Sequence, residues 1–222
     1  MPGKLEKFAD FNSFKNCFTL YFENIKDGLP LKGKWHSDYF HNQNPIVLEL
    51  GCGKGEYSIG LAKNNPTKNY IGVDIKGNRI WTGAKEAIDN NMPNVAFVRT
   101  RIDFIEHCFE PGEVSEIWIT FPDPQPQKTR ERKRLTNMRF IERYRKFLKP
   151  GGLVHLKTDS TSLYEYTMEV IKENNLKLLF HTNDLYNNCP PDRKELTEIK
   201  THYEKLFTAR GEDIKYICYQ IN

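Results

Sequence analysis

Residues 46–55 read Ile46-Val47-Leu48-Glu49-Leu50-Gly51-Cys52-Gly53-Lys54-Gly55. Four aliphatic residues around one acid form a buried strand that runs without a spacer into three glycines at alternate positions, and Tyr57, Ile59, Gly60 and Leu61 follow at helical spacing. Strand, glycine loop and helix in that order open a doubly wound α/β sheet, where backbone N–H groups and the positive end of the helix meet a ligand. The next apolar run, 70–73, ends in Asp74, where a carboxylate meets ribose hydroxyls. Further strands are expected at 95–98, 116–121, 153–157, 176–180 and 216–219, and helices near 77–90, 136–148 and 161–174, with Pro150-Gly151-Gly152 closing one of them. The expected fold class is therefore α/β, a Rossmann-like, doubly wound, mostly parallel sheet of seven strands. Ligands bind such sheets at the carboxyl ends of the strands, where Gly51, Asp74, Asp123 and Asp159 all fall.

The spacing of the glycines bears on the cofactor. A dinucleotide loop reads G-x-G-x-x-G, whereas this loop reads G-x-G-x-G and is followed by Glu56. Acids at 49 and 56 are unfavourable beside a diphosphate, but Glu49 suits a cofactor with a cationic amino-acid end. S-adenosyl-L-methionine has such an end. The expected cofactor residues are Glu49, Gly51, Gly53, Gly55 and Asp74.

A second decisive stretch runs from Ile119 to Arg132, I-T-F-P-D-P-Q-P-Q-K-T-R-E-R. Ile117, Ile119 and Phe121 alternate with their neighbours as in a strand, and Pro122 ends it because proline cannot donate to a continuing ladder. Prolines 122, 124 and 126 stiffen the loop and hold Asp123 in extended backbone. The chain then turns basic: ten Lys and Arg between Lys128 and Lys149 face only Glu131 and Glu142. Lys128, Arg130, Arg132, Lys133 and Arg134 lie in the loop beside Asp123, where they can follow a phosphate backbone. Arg139 to Lys149 are expected on a solvated helix face.

With 222 residues the chain is long enough for one domain with a substantial core, and its net charge of +4 does not by itself imply nucleic acid. No apolar run is long enough to cross a bilayer and the first residues lack an apolar signal core, so a cytoplasmic protein without membrane contact is expected. Five scattered cysteines make neither a metal-ligand pair nor a disulfide framework, and no metal is expected. Residues 1–44 form an N-terminal extension that wraps the core or meets RNA, ahead of a cofactor-binding domain at 45–222. The polar, proline-bearing stretch 183–200 reads as a mobile loop. The sequence leaves monomer and homodimer open.

E-L-G-C-G-K-G (49–55), G-V-D-I-K (72–76), F-P-D-P (121–124), R-K-R-L (132–135), L-K-P-G-G (148–152), L-K-T-D (156–159) and T-H-Y-E (201–204) occur together and in order. This set resembles the bacterial tRNA (guanine-N7)-methyltransferase family and spans about two-thirds of the chain. The resemblance implies a class I methyltransferase fold with a final antiparallel strand, tRNA as partner, and methyl transfer to N7 of the variable-loop guanine. It also implies that Asp123 lies between cofactor and base as the catalytic carboxylate, that Asp159 contacts substrate, and that Thr201, His202, Tyr203 and Glu204 hold the guanine. Asp159 can alternatively cap the helix that follows it.

Guanine N7 carries a free lone pair, so its attack on a sulfonium methyl needs no general base. Positioning, and a carboxylate facing the purine as it becomes cationic, are what a protein can add. Three positions depart from the family pattern. Gln125 stands where a tryptophan is common, and Gln127 where a substrate-binding lysine is common, with Lys128 one place later. Arg101 occupies the usual adenine-contact position, with Asp103 two places on. Two other readings remain: a non-catalytic RNA-binding subunit with this fold, and a small-molecule methyltransferase.

Overall fold

The computed structural model describes residues 3–221. In chain order its elements are α1 (Lys4–Ser13), β1 (Cys17–Thr19), β2 (Ile46–Leu50), α2 (Glu56–Asn64), β3 (Asn69–Asp74), α3 (Gly77–Asp89), β4 (Val95–Arg99), β5 (Val114–Thr120), α4 (Met138–Tyr144), β6 (Leu148–Thr158), α5 (Thr161–Glu173), β7 (Lys177–Thr182), α6 (Glu195–Glu198), α7 (His202–Thr208) and β8 (Lys215–Gln220). The strands form one sheet in the order β1-β4-β3-β2-β5-β6-β8-β7. Neighbours from β1 to β6 pair in parallel, and β8 runs antiparallel to both β6 and β7.

Both faces of the sheet are covered, which is why its central strands are almost continuously apolar. Side-chain alternation divides the core in two. Leu48, Leu50, Ile71, Val73, Ile117 and Ile119 face one side with Phe140 of α4 and Leu163 of α5, while Val47, Tyr70 and Trp118 face the other with Tyr57 of α2 and Ile80 of α3. Full burial of each aliphatic side chain contributes about 1.5–3 kcal/mol. Strand order reverses between β2 and β5, opening a crevice beyond their carboxyl ends, at Gly51 and Phe121.

Four expectations are corrected. The sheet has eight strands rather than seven, because β1, supplied by the N-terminal segment, pairs with β4 through Cys17–Phe97, Phe18–Val98 and Thr19–Arg99. Three residues are too few to show an alternating pattern. The same segment buries Phe11, Trp35 and Phe40, and the Trp35 indole donates to the Cys108 carbonyl at 3.0 Å. Secondly, the helix expected at 136–148 is α4 alone. Phe147 and Leu148 continue its apolar spacing, but Leu148 already pairs with Val114 of β5.

Thirdly, Pro150-Gly151-Gly152 closes no helix and lies inside β6, where the β5–β6 register shifts between Val114 and Glu116. An irregularity of this kind accommodates a proline that cannot donate. Lastly, the stretch 183–200 is fastened to the core: Leu185 and Leu196 are fully buried, and α6 lies within it.

Candidate active site

Glycine loop geometry sets the first wall. Gly55 begins α2 with a φ of +76°, and a Cβ there would come within 2.6 Å of the Phe97 ring, so only glycine fits. Having no side chain, Gly55 cannot cap α2, and the Glu49 carboxylate does so instead. Its Oε2 accepts from Ser58 N at 2.9 Å and Ser58 Oγ at 2.6 Å, and its Oε1 accepts from Thr120 Oγ1 at 2.7 Å. Burial pushes Glu49 up to about 7, against the opposing effect of these hydrogen bonds. Oε1, which accepts one bond where Oε2 accepts two, retains acceptor capacity for a ligand cation. Asp74 is set by two backbone amides, Gly53 N at 3.0 Å and Lys76 N at 2.8 Å, one on each oxygen.

The second wall is the loop after β5. Phe121 and Gln125 take the left-handed conformation, with φ of +47° and +45°, an uncommon and strained state for such side chains. Three contacts enforce it. Phe121 N donates to the Lys157 carbonyl at 2.8 Å, and Gln125 N donates to Asp123 Oδ1 at 3.1 Å. Arg134 then clamps the loop from behind: its Nε lies 3.2 Å from the Pro124 carbonyl, and its Nη2 3.1 Å from the Gln125 carbonyl. Its guanidinium sits 4.3 Å over the Tyr166 ring. Arg134 is 7% exposed, so it is not a free phosphate ligand as its place in a basic run suggested. Lys128, Arg130, Arg132 and Lys133 are exposed, on a short 3₁₀ helix.

These walls enclose a cavity of about 930 Å³. Of the expected residues, Glu49, Gly51, Gly53, Asp74, Asp123, Asp159, Thr201, His202 and Tyr203 line it. Gly51 and Gly53 have nothing within 4 Å of where a Cβ would stand, which leaves room for a ligand against the backbone. Burial raises the Asp159 pKa, and the helix cap, the alternative role for Asp159, falls to Ser160, whose side chain accepts from Leu163 N. An adjoining lobe of about 580 Å³ shares Gly51, Asp74, Ile75, Lys133 and Leu135 with the main cavity, and Arg101 and Asp103 line it. Arg139 Nη2 lies 2.5 Å from Asp103. Thr100 lines the same lobe, and its buried hydroxyl has no protein hydrogen-bond partner.

Four expected residues line neither cavity, Gly55 being buried against the Phe97 ring at the start of α2. Gln127 and Lys128 are exposed on the outer side of the loop, and Glu204 is fully buried beneath the turn that carries Thr201 to Tyr203. Sequence reading missed Ser58 and Thr120, the groups that hold Glu49, and Phe207, whose ring stacks between Phe121 at 6.1 Å and Tyr203 at 6.3 Å. It also missed Lys54, Lys76 and Arg79, exposed cations on the glycine-loop side of the cavity. The glycine motif drew attention to its glycines rather than to the lysines beside them.

A methyltransferase family model matches residues 43–217. The chain is 52% identical over 221 residues to the tRNA (guanine-N(7)-)-methyltransferase of Bacteroides thetaiotaomicron, covering 99% of this chain and 86% of that one. It is 47% identical over 220 residues to the tRNA (guanine-N(7)-)-methyltransferase of Christiangramia forsetii, covering 99% and 98%. The chain belongs to the tRNA (guanine-N7)-methyltransferase family. Its fold is also that of the 16S rRNA methyltransferase KamB, with a TM-score of 0.62 at 15% identity over 87% of this chain and 96% of that one.

The methyl donor of this family of enzymes is S-adenosyl-L-methionine, and the cavity suits it. The buried Glu49 carboxylate could take an α-ammonium, Asp74 retains lone pairs that could meet ribose hydroxyls, and the lobe has the orphan Thr100 hydroxyl among Ile75, Ile102 and Phe140, where an adenine ring could lie. Ile75, 52% exposed, is an apolar side chain left bare at that lobe.

Proposed function

We propose that this protein transfers the methyl group of S-adenosyl-L-methionine to N7 of the variable-loop guanine of tRNA. One observation carries the reading: Asp123, on a strained and clamped loop, shares a cavity with Glu49 and Asp74 on one side and the Thr201–Tyr203 turn on the other. The cofactor supplies an electrophilic methyl group on a sulfonium.

Glu49 and Asp74 hold the amino-acid and ribose parts of the cofactor, and the Thr100 lobe holds its adenine. Asp123 accepts from the N1–H and N2 edge of the guanine, orients N7 in line, and offsets the positive charge that grows on the purine. Asp159 adds a second carboxylate from a poorly solvated position. Phe207 and Tyr203 offer ring faces where the loop lacks a tryptophan. Lys128, Arg130, Arg132 and Lys133 meet phosphates outside the cavity. The reading assigns residues 45–222 to the cofactor-binding domain and residues 1–44 to an extension, and puts the enzyme in the cytoplasm with its substrate.

The test is to incubate the protein with labelled S-adenosyl-L-methionine and tRNA from cells lacking N7 methylation. A transcript with 7-deazaguanosine at the variable-loop position keeps the Watson–Crick edge but has carbon in place of N7, and it should accept no methyl group. Asp123→Ala should fold and bind cofactor yet lose turnover by about a hundredfold or more, as when other charge-stabilising groups are removed. Full transfer to the deaza substrate excludes N7, and near-normal turnover by the variant excludes this role for Asp123.

A further inference from the structure

The turn from Thr201 to Tyr203 is the wall of the cavity that is not built on a strand end, so something else must fix it. Beneath it lies Lys157, on β6 two residues before Asp159, with a side chain that is fully buried. Its ammonium lies 2.7 and 2.9 Å from the two Glu204 oxygens, 2.5 Å from the Leu196 carbonyl and 3.4 Å from the Ile199 carbonyl. Three N–H donors are thereby aimed at partners that all belong to residues 196–204. Glu204, also fully buried, accepts in addition from the Tyr186 hydroxyl at 2.8 Å, and its backbone N–H donates to Thr201 Oγ1 at 3.1 Å. Glu56 completes the arrangement from α2, accepting from His202 N at 2.7 Å.

We propose that Lys157 is a positioning residue for the tRNA guanine, and that Glu204 acts as its buried counter-ion rather than as a contact to the base. The proposal rests on the reading of this cavity as the guanine site. One strand then sets two walls. β6 delivers Asp159 to the cavity directly and, through Lys157, fixes where Thr201, His202 and Tyr203 stand relative to it. An apolar side chain of similar volume could fill the same space, and buried ion pairs are often no more stabilising than such replacements. It could not satisfy two backbone carbonyls and a carboxylate at once, and that is what holds the turn in a single position. Burial pulls the Lys157 ammonium below its usual range while Glu204 opposes the shift, and the facing groups include Lys200, which adds repulsion, and Tyr57, whose ring lies 5.2 Å from Nζ.

The experiment is a double-mutant cycle on the full chain with Lys157→Met, Glu204→Gln and the pair, read by steady-state kinetics on tRNA, calorimetry with S-adenosyl-L-methionine, and amide hydrogen exchange. Lys157→Met should raise the KM for tRNA by about tenfold while cofactor affinity stays within about twofold, and the pair should be no worse than the lysine variant alone. Independent, multiplying effects would mean that Glu204 contacts the base itself and would overturn the counter-ion assignment. Leu163→Ala, a core change on α5, supplies the comparison: loss of stability alone should leave the KM for tRNA unchanged below the melting temperature. The same result for Lys157→Met would reduce the lysine to a structural role.

If Lys157→Met does not fold, Tyr186→Phe removes one bond to Glu204 from a partly exposed position and should raise the same KM by about threefold. No change there counts against the proposal. Hydrogen exchange separates its failure from failure of the underlying reading. Amides of Glu204 and Lys205 should exchange about tenfold faster in Lys157→Met, with those of α5 unaltered, whether or not tRNA is the substrate. Unaltered exchange at 204 and 205 would refute the tether outright.

Discussion

Glu49 makes cofactor binding depend on pH in a direction that can be worked out. Its carboxyl is 3% exposed and pushed up to about 7 from an ordinary value of 4.5, a preference for the neutral form worth roughly 3 kcal/mol. At pH 6 about nine in ten molecules of free protein then carry the proton. A cofactor ammonium placed against this carboxylate favours the ionised form, so binding at pH 6 should release about 0.9 proton, and affinity should rise about tenfold per pH unit between 5 and 7. Above 7 the rise should stop, and it should reverse beyond about pH 8, where an α-amino group loses its own proton. The contribution of Glu49 to the stability of the free protein runs the other way. The unfolded chain ionises Glu49 near 4.5 while the folded chain keeps the proton until about 7, so the contribution of this group to stability is complete below 4.5 and is lost as pH rises across that window. Calorimetry in two buffers of different ionisation enthalpy counts the proton directly. A proton count near zero at pH 6, or a slope that persists in Glu49→Gln, would refute the placement of the ammonium at Glu49.

Asp74→Ala should weaken S-adenosyl-L-methionine binding by about 1–3 kcal/mol, the range for hydrogen bonds to a charged group, and unchanged calorimetric affinity would remove the ribose assignment. Neutralising two of Lys128, Arg130, Arg132 and Lys133 should reduce the slope of log affinity for tRNA against log salt by roughly 1.5–2 without touching cofactor affinity. Arg134→Ala should do something different, lowering turnover through the freed Pro124–Gln125 loop while leaving the salt slope near that of the parent. His155 is buried, and the cost of that burial is outweighed by Cys218 and by the Glu116 carboxylate 3.1 Å from its Nε2, which together raise its pKa. Its contribution to stability is therefore complete below the unfolded value of about 6.5 and lost as pH rises through the folded value, so the melting temperature should fall over that interval and His155→Gln should flatten the fall.

The architecture was legible because a parallel sheet covered on both faces demands almost continuously apolar runs, and 46–50, 70–73 and 95–98 could be little else. Legibility failed where a pattern is short or double. Cys17–Thr19 joins the sheet through backbone pairing that no side-chain alternation announces, and Phe147-Leu148 extend the spacing of α4 while belonging to the turn and strand that follow. Convergence of Glu49, Asp74, Asp123 and Asp159 followed from the fold alone, since each stands at or just before the carboxyl end of a strand or in the loop beyond it.

What the sequence could not reveal is which charged residues face the cavity and which are consumed in building it. Arg134 sits in a run of five cations within seven residues, and nothing in that run distinguishes it from its neighbours. Only the position of two loop carbonyls and the Tyr166 ring turns it inward. Glu204 and Lys157 belong to two motifs that sequence reads as substrate contacts, yet they neutralise each other under the wall those motifs form. Motifs of this kind combine residues that touch a ligand with residues that hold them in place, because both are needed for one geometry. Access to the cavity separates the two groups: a carboxylate that lines it, such as Asp123, retains acceptor capacity for the base, whereas Glu204 lies outside it with oxygens committed to Lys157 and Tyr186. The residues whose loss should abolish chemistry are then the acids that line the cavity, and those whose loss should blur substrate position are the buried pair.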